Sequence, residues 1–181
     1  MQPRIPRQFA SDQGVRRADQ EVGLGAELAA VVAGARRRAV RDGDRQIDTA
    51  HLLHSLLESG SEVRAVMGPT PQVARLLGYL VQRSIGYGLR WQAVGEESAA
   101  GRGSGTDGAD SWSPLAAAAM DHALRCADGP AGCTDLLAAI VGEPDSRAVE
   151  VLRRAGIEAA DLLARIENRA GEYAADGRAP C

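Results

Sequence analysis

Two stretches of this chain carry one pattern, and a chain that repeats itself is constrained more by the repeat than by any single motif. The first is Arg45-Gln46-Ile47-Asp48-Thr49-Ala50-His51-Leu52-Leu53-His54-Ser55-Leu56-Leu57-Glu58. It reads as a turn, a cap and a short helix. Asp48 or Thr49 is placed to accept a hydrogen bond from a free amide of the first helical turn. Leu52, Leu53, Leu56 and Leu57 then form one apolar face of a 3.6-residue period. The second stretch is Gly132-Cys133-Thr134-Asp135-Leu136-Leu137-Ala138-Ala139-Ile140-Val141. Upstream, Ala35 and Ala39 stand to His51 as Ala119 and Ala123 stand to Asp135. Downstream, Ser61, Val66 and Met67 correspond to Ser146, Val151 and Leu152, with one extra residue in the second copy. Two copies of a small multi-helix unit sharing one core are expected, in an all-α fold.

The 181 residues suffice for one domain with a sizeable core, and aromatics make up only 3% of them. Helices packed through small residues suit that composition, whereas a β-sandwich wants aromatic and β-branched strands. No apolar run approaches the roughly 18 residues of a membrane span. Met1 to Ala10 is basic and polar and lacks the apolar stretch of a signal peptide. The three cysteines, Cys126, Cys133 and Cys181, have no framework spacing, which fits a reducing cytoplasm. All 21 basic residues are arginine, so the phosphate-gripping lysine of a P-loop is excluded.

The hydrophobic period divides the chain. Residues 1–23 read as a flexible, arginine-bearing arm. The first unit spans 24–85. It opens with a helix from about Leu24 to Asp42, whose stripe is Leu28, Val31, Val32, Ala35 and Ala39, and which Gly43 ends. Arg36, Arg37, Arg38 and Arg41 lie largely off that stripe, as a solvated face available for docking. The capped helix follows, then a short helix from Ser61 to Met67, a turn at Gly68–Pro71, and a fourth helix to about Ser84. Residues 86–111 lose the period and read as a Gly/Ser-rich linker. Tyr79, Tyr87 and Trp91 stand before its Gly101–Gly108 stretch, near the junction of the copies. The second unit, 112–171, has Ser113 as a cap and Pro114 at the first helical position. Its helices reach about Ala127, then run from Thr134 to Gly142, from Ser146 to Ala155, and through Ile157, Leu162, Leu163 and Ile166 to about Gly171. Residues 172–181 read as a frayed tail.

Taken together, Ala35, Ala39, Ile47, Thr49, His51, Leu52 and Leu53 resemble the spacing A-x3-A-x7-I-x-T-x-H-L-L of the N-terminal domain of Clp/Hsp100 unfoldases. The resemblance covers roughly 24–170, and Trp112-Ser113-Pro114 looks like the aromatic-Thr-Pro entry to that family's second repeat. The second copy is degenerate, with Cys133-Thr134-Asp135 where the family has threonine, glutamate and histidine. The resemblance implies a tandem repeat of two four-helix units with a pseudo-two-fold axis. It also implies a non-catalytic domain that recruits peptides, adaptors or Clp subunits for an attached ATPase ring and protease. In phosphoarginine-binding members an acidic residue precedes the motif histidine. Here that place holds Ala50 in the first copy and Thr134 in the second, so the charge-assisted contact to a guanidinium is lost.

No catalytic constellation stands out: G-x-S-x-G and H-E-x-x-H are both absent, and no cofactor is expected. His51 and His54 share a helix face at i, i+3, but no nearby cysteine or acidic pair is evident to complete a metal shell. His51 reads as a structural residue at the helix start. His122, Cys126 and Cys133 could approach one another across a loop, but no fourth ligand is evident, so no metal is expected there. The expected function is a free-standing Clp-N-like module without a motor, acting as accessory, adaptor or decoy. Its candidate binding residues are Trp112, Thr49, His51, Asp135 and Tyr87. Rigid aromatics dominate binding energy, which favours Trp112. A structural accessory docking on the protease through Arg36, Arg37, Arg38 and Arg41 is the alternative. A nucleic-acid-binding regulator is disfavoured by the net charge of −3 and pI near 5.6.

Overall fold

The computed structural model describes residues 23–68, 70–84 and 111–175. Among them are eight helices and two very short strands: α1 (Ala26–Asp42), β1 (Gln46–Ile47), α2 (Thr49–Ser59), α3 (Ser61–Met67), α4 (Thr70–Ser84), β2 (Ser111–Trp112), α5 (Pro114–Cys126), α6 (Cys133–Val141), α7 (Arg147–Arg154) and α8 (Ala159–Ala175). The fold is all-α, and no described helix is long and apolar enough to cross a membrane.

Local chemistry explains most of the boundaries. α1 buries Leu28, Val31, Val32, Ala35 and Ala39 and stops at Gly43, whose φ of 74° favours glycine and whose N–H reaches the carbonyls of Ala39 and Val40. Between α2 and α3 stands Gly60, where an added Cβ would lie 2.7 Å from the Leu56 carbonyl oxygen. Any larger residue there would have to push backbone aside. Ser113 and Ser146 cap α5 and α7 by accepting from the amides of Ala116 and Val149. Pro114 follows the first of these caps, where its missing N–H costs nothing.

The helices pack in a reciprocal pattern. α1 lies on α2 and α5 on α6, while α2 and α6 meet at the centre. α2 also touches α7 and α3 touches α6; α4 reaches α7 and α8 reaches α3. The extended residues in front of the helices pair reciprocally too. Ile47, before α2, lies beside Trp112, before α5, in a parallel pairing. Leu24, before α1, bridges Ala131, before α6. Ser113 N–H donates to the Ile47 carbonyl at 2.9 Å, and Gly25 N–H to the Ala131 carbonyl at 2.9 Å.

One hydrophobic cluster runs through both halves. Leu28, Leu52, Leu53, Leu56, Met67, Leu76, Met120, Leu136, Leu137 and Ile140 are fully buried in it. Ala35, Ala39, Ala116, Ala119 and Ala123 are buried beside them, and their small side chains let helix axes approach closely.

Several boundaries differ from the sequence expectation. Leu24 belongs to a bridge, so α1 starts at Ala26. Gln46–Ile47 is a strand where a turn was expected, and Ser111, assigned to the linker, is its partner strand. α4 begins at Thr70, inside the expected turn, and α6 begins one residue early, at Cys133. α8 continues past Gly171 to Ala175, so the tail does not fray at 172. Nearly all of the expected arm and linker, and the tail from 176, lie outside the described residues.

Candidate functional site

Three buried polar residues, Asp48, Thr49 and His51, gather at the N-terminal end of α2. Asp48 sits at the N-cap with φ −104° and ψ 174°, an extended backbone that folds its side chain over the first turn. Its Oδ1 accepts from the His51 amide at 3.0 Å. The ring of His51 answers: Nδ1 accepts from the Asp48 amide at 3.1 Å. This is a reciprocal capping box in which an imidazole replaces the usual glutamate or glutamine. Nδ1 also lies 3.0 Å from Asp48 Oδ1, so both the amide and the carboxylate of Asp48 face this nitrogen. The other ring nitrogen, Nε2, faces Asp44 Oδ2 at 3.1 Å, with Asp42 Oδ2 at 3.7 Å.

The same cap ties the two halves together. Asp48 Oδ2 accepts from Arg147 Nη1 at 2.8 Å, with the two side chains 4% and 14% exposed. One residue on, Thr49 Oγ1 accepts from the Ala148 amide at 3.2 Å. The head of α2 is thus fastened to the head of α7 by an ion pair and a hydrogen bond, neither of which is foreseeable from local sequence.

The expected site residues fall into distinct places. Thr49 and His51 are buried, their polar atoms used within the frame. Both were expected in a partner-binding surface; burial removes them from direct contact with a partner. Trp112 is half-buried beside Ile47, packed against the core at the same end of α2. Asp135 belongs to another cap: its Oδ2 accepts from the Gly132 amide at 2.8 Å at the head of α6. A carboxylate makes there the bond that the His51 imidazole makes at α2. Tyr87 lies outside the described residues. Arg147, Asp42 and Asp44 were missed.

The arginines of α1 do not form one free face. Arg37 and Arg41 are exposed, whereas Arg36 and Arg38 are half-buried. Arg38 turns inward, pairing with Glu58 and placing Nη1 3.2 Å from His54 Nδ1. The expectation of a uniform docking face is corrected on this point, because a long arginine stem lets the guanidinium reach across to the neighbouring helix.

His54 itself is buried, and its pKa is lowered to about 4, first by desolvation and then by the Arg38 cation. Between the unfolded value of 6.5 and about 4, the unfolded chain binds the extra proton. The contribution to stability is therefore complete above pH 6.5 and is lost as pH falls through that window. At about 1.4 kcal/mol per unit its ceiling is about 3 kcal/mol, reduced by solvent screening at exposed Glu58. Urea denaturation at pH 7.5 and pH 5 should show this loss, and His54→Gln should flatten it.

Donor atoms of Asp44, Asp48 and His51 lie within 4.8 Å of one another. The expectation that no acidic pair stands near His51 is corrected: the turn at Gly43 brings Asp42 and Asp44 back to the ring. Both ring nitrogens are engaged inside this cluster, Nδ1 with Asp48 and Nε2 with Asp44. His122 and Cys126 do meet, with Nε2 3.5 Å from Sγ, both exposed on α5. Cys133 is buried instead, its thiol pushed up to about 12 by desolvation and then by Glu27. No cluster uniting these three is found among the described residues.

No protein-family model matches the chain, and no curated protein matches it. Its chemistry rests on its own residues. The thiol–imidazole pair of Cys126 and His122 lies along a helix flank, where the ladder takes up the backbone N–H groups that an oxyanion hole would need. Asp48, Thr49 and His51 serve as fasteners, and Trp112 is the large side chain at that end which is not fully enclosed.

Proposed function

We propose that this chain is a non-catalytic binding module built like the N-terminal domain of Clp/Hsp100 unfoldases. In this reading, 24–85 and 112–171 are two four-helix units related by an approximate two-fold axis. The module recognises peptides, adaptors or Clp subunits in the cytoplasm and so modulates Clp-dependent proteolysis. The observation that carries the reading is the reciprocity of the pairing: the residue before α1 bridges the residue before α6, and the residue before α2 bridges the residue before α5. Each second helix also has a third residue, His51 or Asp135, that accepts from the amide of its own cap. His51 and Asp135 are counterparts in the sequence repeat. These 181 residues contain no lysine, so they do not themselves hold the phosphate-gripping lysine of a P-loop.

Docking through the arginines of α1, as a stabiliser of the protease assembly or on a nucleic acid, is the less favoured reading. Arg38 is occupied internally, leaving Arg37 and Arg41 as the exposed cations of that set.

The test is a quantitative affinity capture from the cell that encodes the chain, comparing wild type with Trp112→Ala. Clp ATPase or protease subunits, or their adaptors, should be enriched by the wild type. The variant should bind at least about fivefold more weakly, as expected for an aromatic hot spot, with its far-UV circular dichroism unchanged. Unchanged capture would remove Trp112 from the site. Absence of every Clp-system protein would remove the reading.

A further inference from the structure

We draw no further inference here: the strongest candidate, the cluster of Asp42, Asp44, Asp48 and His51 at the head of α2, is a helix N-terminus ringed by carboxylates whose capping box and Asp44 contact already use both ring nitrogens, and no second feature of the structure points to a ligand there.

Discussion

Asp48→Ala should destabilise the protein by about 3–5 kcal/mol, the range for removing one partner of a buried ion pair. Asp48 does two jobs with its two oxygens. Oδ1 caps α2 through the His51 amide, and Oδ2 holds Arg147 from the other half of the chain. Loss of a cap alone costs about 1 kcal/mol. The larger part comes from Arg147, whose side chain is 14% exposed and would be left without its carboxylate. Asp48→Asn separates the two effects, since an amide oxygen still caps the helix but carries no charge for the guanidinium. It should fall between wild type and Asp48→Ala. Combining Asp48→Asn with Arg147→Met should recover part of the loss, because a well-packed apolar pair is often as stable as a buried ionic one. Urea midpoints at constant m-value give the comparison. A cost for Asp48→Ala no larger than that of a simple cap would mean that the ion pair does not hold α2 to α7.

Leu136→Ala should cost about 2–5 kcal/mol, the range for emptying a buried leucine site. It should also weaken both halves at once. Leu136 is fully buried in a cluster that includes Leu28, Leu53 and Met67 from one half and Met120, Ile140 and Leu152 from the other. α6 contacts α1, α2 and α3 as well as its own neighbours α5, α7 and α8. Leu136 belongs to that shared cluster, so a cavity there should be felt in both halves. Wild type and variant should therefore unfold in one transition, with tryptophan fluorescence and far-UV circular dichroism coincident. Two separated transitions, with only the later-sequence helices weakened, would mean that each half has its own core.

What was legible in the sequence is what local chemistry decides. Ser113 reads as a cap, and Asp48 as one of two candidates with Thr49, because short oxygen-bearing side chains satisfy nearby amides. α3 runs from Ser61 to Met67 as read, because glycines stand at both ends. The leucine stripe of α2 and the alanines of α1 and α5 announce their buried faces by period alone. What was not legible depends on partners far along the chain. A strand of two residues has no period of its own, so β1 and β2 exist only because Gln46–Ile47 and Ser111–Trp112 meet. Arg147 carries no local sign that it will find Asp48. Arg38 sits off the apolar stripe, as a solvated residue would, yet its length brings it to His54 and Glu58. His51 was read as structural, and the bond from the Asp48 amide gives that reading its mechanism; the ring of carboxylates around it depends on the backbone reversal at Gly43.

The most direct measurement is the rate at which a reconstituted Clp ATPase–protease pair from the same organism degrades a fluorescent substrate as this protein is titrated in. The account predicts a saturable change in rate, with Trp112→Ala raising the concentration needed for half of the effect. A rate that stays constant through saturating amounts of the folded protein, with no complex detected between it and the Clp subunits or the substrate, would contradict it.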